Sequence, residues 1–349
     1  MEFNGKKLYS EEVRASSEYK KLYDNSIAKY IERKRTESAG ARAAFMPPDS
    51  LAKDPEKFRR LFDKMLGAPL CDYSVYMPLP VVRSEYLASD DMGTIYRVMF
   101  EIFEDFTFYG LMFFPKDFDE ASRYPLVISQ HGGSGSPELC SDFYFETNYT
   151  NMTRRILEYN AVVFAPQLLL WNPEMFGVAQ NRQLRDNQLK QLGGSITALE
   201  VFCIKRCIDY FVKQAYINED KIGMIGLSYG GFYTLMAAAS DTRIKSAYSS
   251  CYYNDSFILD WPDWIWNNSA NTFKNAETAA LIAPRRLYIE AGIHDDRFPW
   301  RAAQTECERL VPFYEAQNAA DNLRFKIFEG DHMLDRDNSG ITFFMQELT

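Results

Sequence analysis

From residue 126 onward, short apolar runs alternate with segments of helical spacing, and this alternation constrains the fold more than any other feature. It is typical of an α/β protein with a mostly parallel central sheet and helices on both faces. In such sheets, active residues lie on loops beyond the carboxyl ends of the strands. The predicted strands are 126–130, 161–165, 221–225, 244–249, 286–290 and 323–328, and the predicted helices are about 149–159, 195–213, 229–240, 301–317 and 338–347.

The segment before residue 126 has a different texture. Stretches near 75–87, 94–103 and 106–114 are rich in Val, Ile, Tyr and Phe, with turn signals between them. They predict antiparallel strands at one edge of the sheet. We therefore expect the α/β domain to occupy residues 71–349.

The pattern of residues 1–70 predicts an N-terminal helical extension. The stretch 10–35 is charged and favours helix, with apolar residues spaced loosely along one face. A second helix is expected after Asp54, which suits an N-cap, with Pro55 at the first helical position and Gly67 at the stop.

The string Gly226-Leu-Ser228-Tyr-Gly230 lies between a predicted strand and a predicted helix. A tight turn between such elements forces its Ser into a strained backbone conformation, and the glycines leave room for it. The hydroxyl then projects above the sheet at a helix N-terminus, where developing negative charge is favoured. We predict Ser228 as a nucleophile.

A serine nucleophile needs a base, and the chain has only three His. His332 follows the last predicted strand, where a base on a loop over the sheet is expected. His131 follows strand 126–130 and is expected to fix its loop instead, and His294 lies after strand 286–290.

An acid must hold the imidazole in its productive tautomer. Asp295 and Asp296 both follow strand 286–290, and the frame from Gly292 to Pro299 favours Asp295. The chain order Ser, Asp, His agrees with this choice. Asp296 remains the alternative, because adjacent acids are hard to separate by sequence.

Acyl transfer also requires stabilisation of an oxyanion, usually by two backbone N–H groups. The first is expected from Tyr229, the residue after the nucleophile. The second is expected from Gly133 in the His131-Gly-Gly stretch, where glycine lets the backbone approach a substrate closely.

An aromatic interruption follows strand 244–249, and we interpret residues 251–280 as a cap-like insertion. Trp261 and Trp264, with nearby Tyr side chains, have two interpretations. They form a wall on which a sugar stacks, or they pack the insertion onto the core. Trp171, after strand 161–165, is a further candidate for lining the cleft.

The net charge of −9 disfavours nucleic acids and anionic membranes as partners, since both attract Lys and Arg. No run approaches the ~18 apolar residues of a membrane span. The first ten residues lack the apolar centre of a secretory signal, so we expect a cytoplasmic protein. Association between copies of the chain is left open.

The six Cys include no C-x-x-C motif. Cys203 and Cys207 are four apart on a predicted helix, but no His, Asp or Glu lies beside them at matching spacing. Ordinary buried thiols are expected, as is usual for free Cys in a reduced cytosol. No metal constellation is visible, so no metal and no cofactor are predicted.

The span from about Ile95 to the end resembles the dienelactone-hydrolase-like and acetyl-xylan-esterase-like branch of the α/β-hydrolase superfamily. This resemblance implies an α/β-hydrolase fold and a carboxylic esterase, often acting on acetylated sugars. Dienelactone hydrolase itself uses a Cys nucleophile. Because this chain has Ser228 at that position, the resemblance does not imply lactone specificity. The matching stretches are Gly226–Gly231, Arg206 to Tyr210, Asp241 to Lys245, Leu287–Gly292 before Asp295, and Met65 to Leu70.

The same elbow is similar to that of the prolyl-oligopeptidase family, whose members carry a large N-terminal β-propeller. Only about 90 residues precede the first paired strands here, with no blade-like repeat. We therefore expect a serine esterase for small or sugar-borne acyl esters, with a peptidase or amidase as the alternative. A non-catalytic binding protein is less compatible with a complete triad.

Overall fold

The computed structural model describes residues 1–73, 77–259 and 261–349. Its strands are β1 Glu2–Phe3, β2 Lys6–Lys7, β3 Val81–Asp90, β4 Gly93–Phe103, β5 Phe106–Pro115, β6 Tyr124–Gln130, β7 Val162–Pro166, β8 Ile217–Leu227, β9 Ile244–Ser250, β10 Arg286–Gly292 and β11 Leu323–Phe328. Its helices are α1 Ser17–Phe45, α2 Pro48–Lys53, α3 Pro55–Leu66, α4 Pro137–Cys140, α5 Met152–Leu157, α6 Pro173–Phe176, α7 Arg182–Gln191, α8 Ile196–Phe211, α9 Tyr229–Ser240, α10 Asn275–Ala280, α11 Trp300–Glu315 and α12 Ser339–Met345.

The main sheet has nine strands in the order β11-β10-β9-β8-β6-β7-β5-β4-β3. All pairs from β11 to β7 are parallel, and β5, β4 and β3 continue the sheet as antiparallel strands. Both parts of the sheet prediction are therefore confirmed. Of the predicted first strand 75–87, residues 75 and 76 lie outside the described residues, and β3 begins at Val81.

Helices cover both faces of the sheet because its central strands are apolar on both sides. In β6, Leu126 and Ile128 contribute to the core on one face with α8 and α9. Val127, between them, contributes to the second core, which includes residues of α5 and α12. Alternate side chains of a strand point to opposite faces, so a continuous apolar run fills both layers.

The helix after Asp54 is confirmed at both ends. The Asp54 carboxylate accepts a hydrogen bond from the Lys57 N–H at 3.1 Å, and α3 ends before Gly67, whose φ is +100°. The predicted helix 10–35 begins later and runs further, as α1. Its C-terminal half is held by contacts with residues 255–273, which are distant in sequence.

The sequence does not predict the short hairpin of β1 and β2 that precedes α1. It also does not predict helices α2, α4, α6, α7 and α10. Cys203 and Cys207 are buried thiols, as expected. Among the described residues, no helix combines the length and apolar character needed to cross a membrane.

Candidate active site

Ser228 lies in the turn between β8 and α9, in the strained conformation that the sequence predicts. Its φ is +60° and its ψ is −123°, a combination unfavourable for a residue with a side chain. Its N–H donates to the Ser250 carbonyl at 2.9 Å, which anchors the turn to β9. A Cβ on Gly226 would lie 2.3 Å from the Gly230 backbone, so only glycine permits this turn.

His332 and Asp295 meet beyond the carboxyl ends of β11 and β10. His332 Nδ1 lies 2.8 Å from Asp295 Oδ2, and the Asp295 side chain is fully buried. The other carboxylate oxygen accepts from the N–H groups of Arg297 and Phe298, at 2.9 and 3.1 Å. Burial works to raise the pKa of Asp295, but the His332 hydrogen bond and charge and these N–H donors lower it below the usual value.

Asp296, the alternative acid, is exposed, and the bond to the His332 ring is made by Asp295. His294 is also exposed, and its ring contacts Glu329 at 2.6 Å. The loop that carries His332 is fastened by Asn148, whose side-chain amide donates to the His332 carbonyl at 3.0 Å. Among the described residues, Ser228 Oγ makes no hydrogen bond to His332, which is common before a substrate binds.

The loop after β6 lies against the turn that carries Ser228. A Cβ on Gly132 would be 3.2 Å from Ser228 Cβ, and one on Gly133 would be 3.3 Å from the Tyr229 ring. The Gly132 N–H already donates to the Tyr149 hydroxyl at 2.6 Å. Within the described part of the chain, the N–H groups of Gly133 and Tyr229 have no acceptor.

His131 fixes this loop, as the sequence suggested. Its Nδ1 lies 2.8 Å from the Gly132 carbonyl, and its Nε2 accepts from the Leu168 N–H at 2.9 Å. Burial lowers the pKa of His131 to about 4, so the ring is neutral at physiological pH. A neutral ring that donates through one nitrogen and accepts through the other is suited to holding a loop.

A buried charge network, which the sequence did not reveal, lies on the other side of Tyr229. Arg182 Nε donates to Asp263 Oδ2 at 2.6 Å, and its NH1 donates to Glu200 Oε2 at 2.8 Å. The Tyr233 hydroxyl contacts both Arg182 and Glu200. Burial acts to lower the pKa of Arg182, but the nearby acids outweigh it and hold the guanidinium charged.

The insertion packs mainly as core, which corrects one of the binding predictions. Trp264 is only 4% exposed and its ring centroid lies 4.4 Å from that of Tyr229. Tyr252 and Tyr253 are buried as well. Trp264 therefore cannot form a stacking wall for a sugar, because its faces are covered by Tyr229, Phe232 and Tyr252.

Trp261, the other Trp of the predicted sugar-stacking wall, differs from Trp264 in its exposure. It is partly exposed, and its ring centroid lies 5.7 Å from that of Phe298, which in turn lies 5.5 Å from the His332 ring. Phe298 thus lies between Trp261 and the His332 ring.

Trp171 lies beside the loop after β6 and forms an isolated parallel bridge with Ser134. It lines a pocket of about 550 Å³ between the start of β5 and helices α7 and α8. Neither Trp261 nor Trp264 belongs to the described lining of this pocket, so the three predicted Trp residues do not form one surface.

Two further buried groups adjoin the site. Cys251 Sγ lies within 4.8 Å of the ligand atoms of Asp295 and His332, but its thiol donates to the Met333 carbonyl at 3.2 Å, and burial raises its pKa. In β10, the fully buried Glu290 accepts from Tyr248 at 2.6 Å and Ser250 at 2.7 Å. Burial raises the pKa of Glu290 to about 7.

The nine-stranded, mostly parallel sheet with helices on both faces is the α/β-hydrolase fold. Residues 203–347 match the model of the prolyl oligopeptidase family. The chain is 30% identical over 125 residues to the Bacillus subtilis protein YtaP, covering 34% of this chain and 42% of that protein.

Two further relatives show the same partial overlap. Identity to the uncharacterised Escherichia coli protein YcjY is 26% over 215 residues, or 62% of this chain and 59% of that one. Identity to dipeptidyl peptidase 4 of Arthroderma otae is 25% over 134 residues, or 37% of this chain and 15% of that one. The chain thus spans between about one seventh and three fifths of these relatives.

Solved structures match over most of the chain. A Bacteroides fragilis protein aligns with a TM-score of 0.65 at 13% identity, covering 91% of this chain and 89% of that one. A glucuronoyl esterase from Solibacter usitatus gives 0.61 at 15% identity, with 87% and 94% covered. Acetyl xylan esterase 1 from a Thermoanaerobacterium species gives 0.54 at 15%, with 87% and 99% covered. At these identities the likeness establishes the fold.

Proposed function

We propose that this protein is a serine hydrolase that cleaves carboxylic esters through an acyl-enzyme intermediate. The observation that carries the proposal is the bond between His332 Nδ1 and the buried Asp295, at the same edge of the sheet as the strained Ser228 turn. A nucleophile, a base and an acid that orients the base are the parts that acyl transfer requires.

In the proposed reaction, Ser228 Oγ attacks the acyl carbon while His332 Nε2 accepts its proton. Asp295 keeps the remaining proton on Nδ1 and stabilises the imidazolium. The N–H groups of Gly133 and Tyr229 stabilise the oxyanion; each such donor is worth roughly 3 kcal/mol. His332 then protonates the departing alcohol, and water attacks the acyl-enzyme by the same route to release the acid and free Ser228.

We infer a substrate class of short acyl esters, including acetyl esters carried on sugars. The position of Trp261 supports a sugar as part of the substrate. Its partly exposed indole packs beside Phe298, which contacts the His332 ring, and offers an apolar face with a polar handle. The structural likeness to a glucuronoyl esterase and an acetyl xylan esterase supports the same class by analogy. No metal or cofactor takes part in these steps.

A panel of acyl esters of rising chain length, extended with acetylated oligosaccharides, tests this proposal. We expect hydrolysis of the short esters by the native protein and loss of that activity in Ser228→Ala. Equal hydrolysis by Ser228→Ala, or no hydrolysis of any ester by the native protein, would contradict it.

A peptidase or amidase is the second candidate, and the match of residues 203–347 to the prolyl oligopeptidase family favours it. The two candidates use the same Ser228 chemistry and differ in the leaving group. Acetyl esters compared with aminoacyl amides in kcat/KM separate them. We expect the esters to be preferred, and a preference for the amides would transfer the assignment to the peptidase.

A further inference from the structure

Residues 1–34 form an N-terminal arm, composed of the β1–β2 hairpin, the link that follows it and the first 18 residues of α1. Within the described chain, each hydrogen bond or ion pair recorded for these residues joins them to another residue in the range 1–37. In the described chain, Arg35 is the first residue of α1 with such a bond to the body, since it pairs with Asp255 at 3.0 Å. Arg42 and Phe45 make further contacts with the body. α1 has 29 residues and is about 43 Å long, and among the described residues no hydrogen bond or ion pair joins its first 18 residues to the body outside α1.

The part of α1 that belongs to the arm carries large apolar side chains on one side. Spacings of three and four residues bring six of them into one broad stripe along the helix. Their exposed fractions lie between 42% and 75%. They are Tyr19, Leu22, Tyr23, Ile27, Tyr30 and Ile31.

The area of this stripe is close to what a protein interface needs. Aromatic side chains bury about 150–250 Å² each when covered, so six side chains exposed to this degree present on the order of 600 Å². Contiguous apolar patches of this size mark interaction sites. A stable interface buries roughly 800 Å² per partner, so the stripe supplies most of one.

The net charges of the arm and of the rest of the chain favour a second copy of this chain as the partner of the stripe. The arm has eight Lys and Arg against six Asp and Glu, a net charge of +2, which leaves −11 on residues 35–349. The body of a second copy therefore attracts the arm, and it is present at the same concentration as the arm. An anionic membrane would attract the arm but repel the body, which makes it the less favourable partner.

We propose that the N-terminal arm packs its apolar stripe onto the acidic body of a second copy of this chain, so that the protein associates with itself. This proposal depends on the arm alone and not on the esterase activity. Among the described residues, no hydrogen bond or ion pair joins the stripe to the body of its own chain, so we expect changes to it to leave the site and the core intact.

Sedimentation velocity of the full-length chain over a range of concentrations tests the proposal. We expect a dimer or larger assembly, and at least a 100-fold rise in its dissociation constant for the double variant Leu22→Glu with Ile27→Glu. Asn25→Glu with Ala28→Glu adds the same two charges to the other side of the same helix, and we expect it to leave association unchanged. Far-UV circular dichroism of both variants checks that the helix is retained.

A photo-crosslinking residue in place of Tyr23 identifies the surface that the arm meets. In a mixture of isotopically light and heavy chains, we expect crosslinks between the two kinds of chain, on residues 35–349. A native protein that stays monomeric, an assembly equally stable in both double variants, or crosslinks confined to one chain or to a second arm would each overturn the proposal. Binding of the monomer to anionic vesicles through the same stripe would overturn it in favour of a membrane.

Discussion

The Tyr229 hydroxyl donates a hydrogen bond to the Asp263 carboxylate, with 3.1 Å between the hydroxyl and Oδ1. Tyr229 follows the proposed nucleophile and supplies one of the proposed oxyanion donors, and Asp263 belongs to the insertion. The insertion is thereby fastened to the turn that carries Ser228. Arg182 also binds Asp263, and through its bond to Glu200 it links the insertion to α8.

We expect Arg182→Leu to be strongly destabilising, because it leaves the buried carboxylates of Asp263 and Glu200 without their cation. Removing one partner of a buried ion pair costs about 3–5 kcal/mol. Arg185, on the same helix but exposed, provides the control, and Arg185→Leu should change the free energy of unfolding by less than about 0.5 kcal/mol. Urea unfolding of the two variants measures the difference, and similar effects would show that the network contributes little.

The two adjacent acids should differ sharply in their importance for activity. We expect Asp295→Asn to lower kcat by several orders of magnitude, because the amide favours the wrong tautomer of His332. Asp296→Asn should reduce kcat less than about threefold, since that side chain is exposed and the His332 ring bonds to Asp295 instead. Steady-state hydrolysis of a short ester by both variants measures this, and the reverse ranking would assign the orienting role to Asp296.

Glu290 should make the fold less stable as pH rises. Its pKa is raised from 4.5 to about 7 by burial, so below pH 4.5 it is protonated in both the folded and the unfolded chain. Between pH 4.5 and 7 the unfolded chain releases this proton and the folded chain keeps it. The free energy of unfolding therefore falls with rising pH, by on the order of 3 kcal/mol in total, and the loss is complete above pH 7.

Glu290→Gln tests this effect, since the amide can keep the bonds to Ser250 and Tyr248 without a titrating group. We expect the variant to lose less stability than the native protein between pH 5 and pH 8. Urea unfolding at the two pH values gives the comparison. An equal loss in both proteins would mean that Glu290 does not titrate in this range.

The acyl pocket is expected to favour short chains, with kcat/KM falling from p-nitrophenyl acetate to butyrate and octanoate. The Phe298 ring lies beside His332 and the Trp261 ring lies beside Phe298, and we expect these rings to fill volume that a long chain would need. Trp261→Ala should raise octanoate hydrolysis relative to acetate, since each methylene that fits an apolar pocket is worth roughly 1 kcal/mol or more. Ile265→Ala, an exposed change in the same insertion, should leave the ratio unaltered. A steady rise toward octanoate in the native protein would argue against a short acyl pocket.

The sequence predicted the sheet and the Ser228 turn because both depend on local patterns. Continuous apolar runs mark buried parallel strands, and the glycines around Ser228 mark a turn that no other residue permits. His332 and Asp295 could be found because the fold places them after particular strands, and the structure brings these two together.

The network of Arg182, Asp263 and Glu200 could not be found in this way. Its members come from α7, the insertion and α8, and no spacing along the chain connects them. In a single sequence each is an ordinary charged residue, which predicts a solvated surface. Trp264 was misplaced for a related reason, because an aromatic run does not reveal whether its rings face the cleft or the core.

Covalent labelling of Ser228 tests the central claim most directly. A fluorophosphonate probe reacts with a serine only when a neighbouring base activates it. After labelling and proteolysis, we expect mass spectrometry to find the phosphonate on the peptide that contains Ser228, with labelling lost in Ser228→Ala and strongly reduced in His332→Ala. A label on another residue, or no label on the folded protein, would contradict the assignment of Ser228 as the nucleophile.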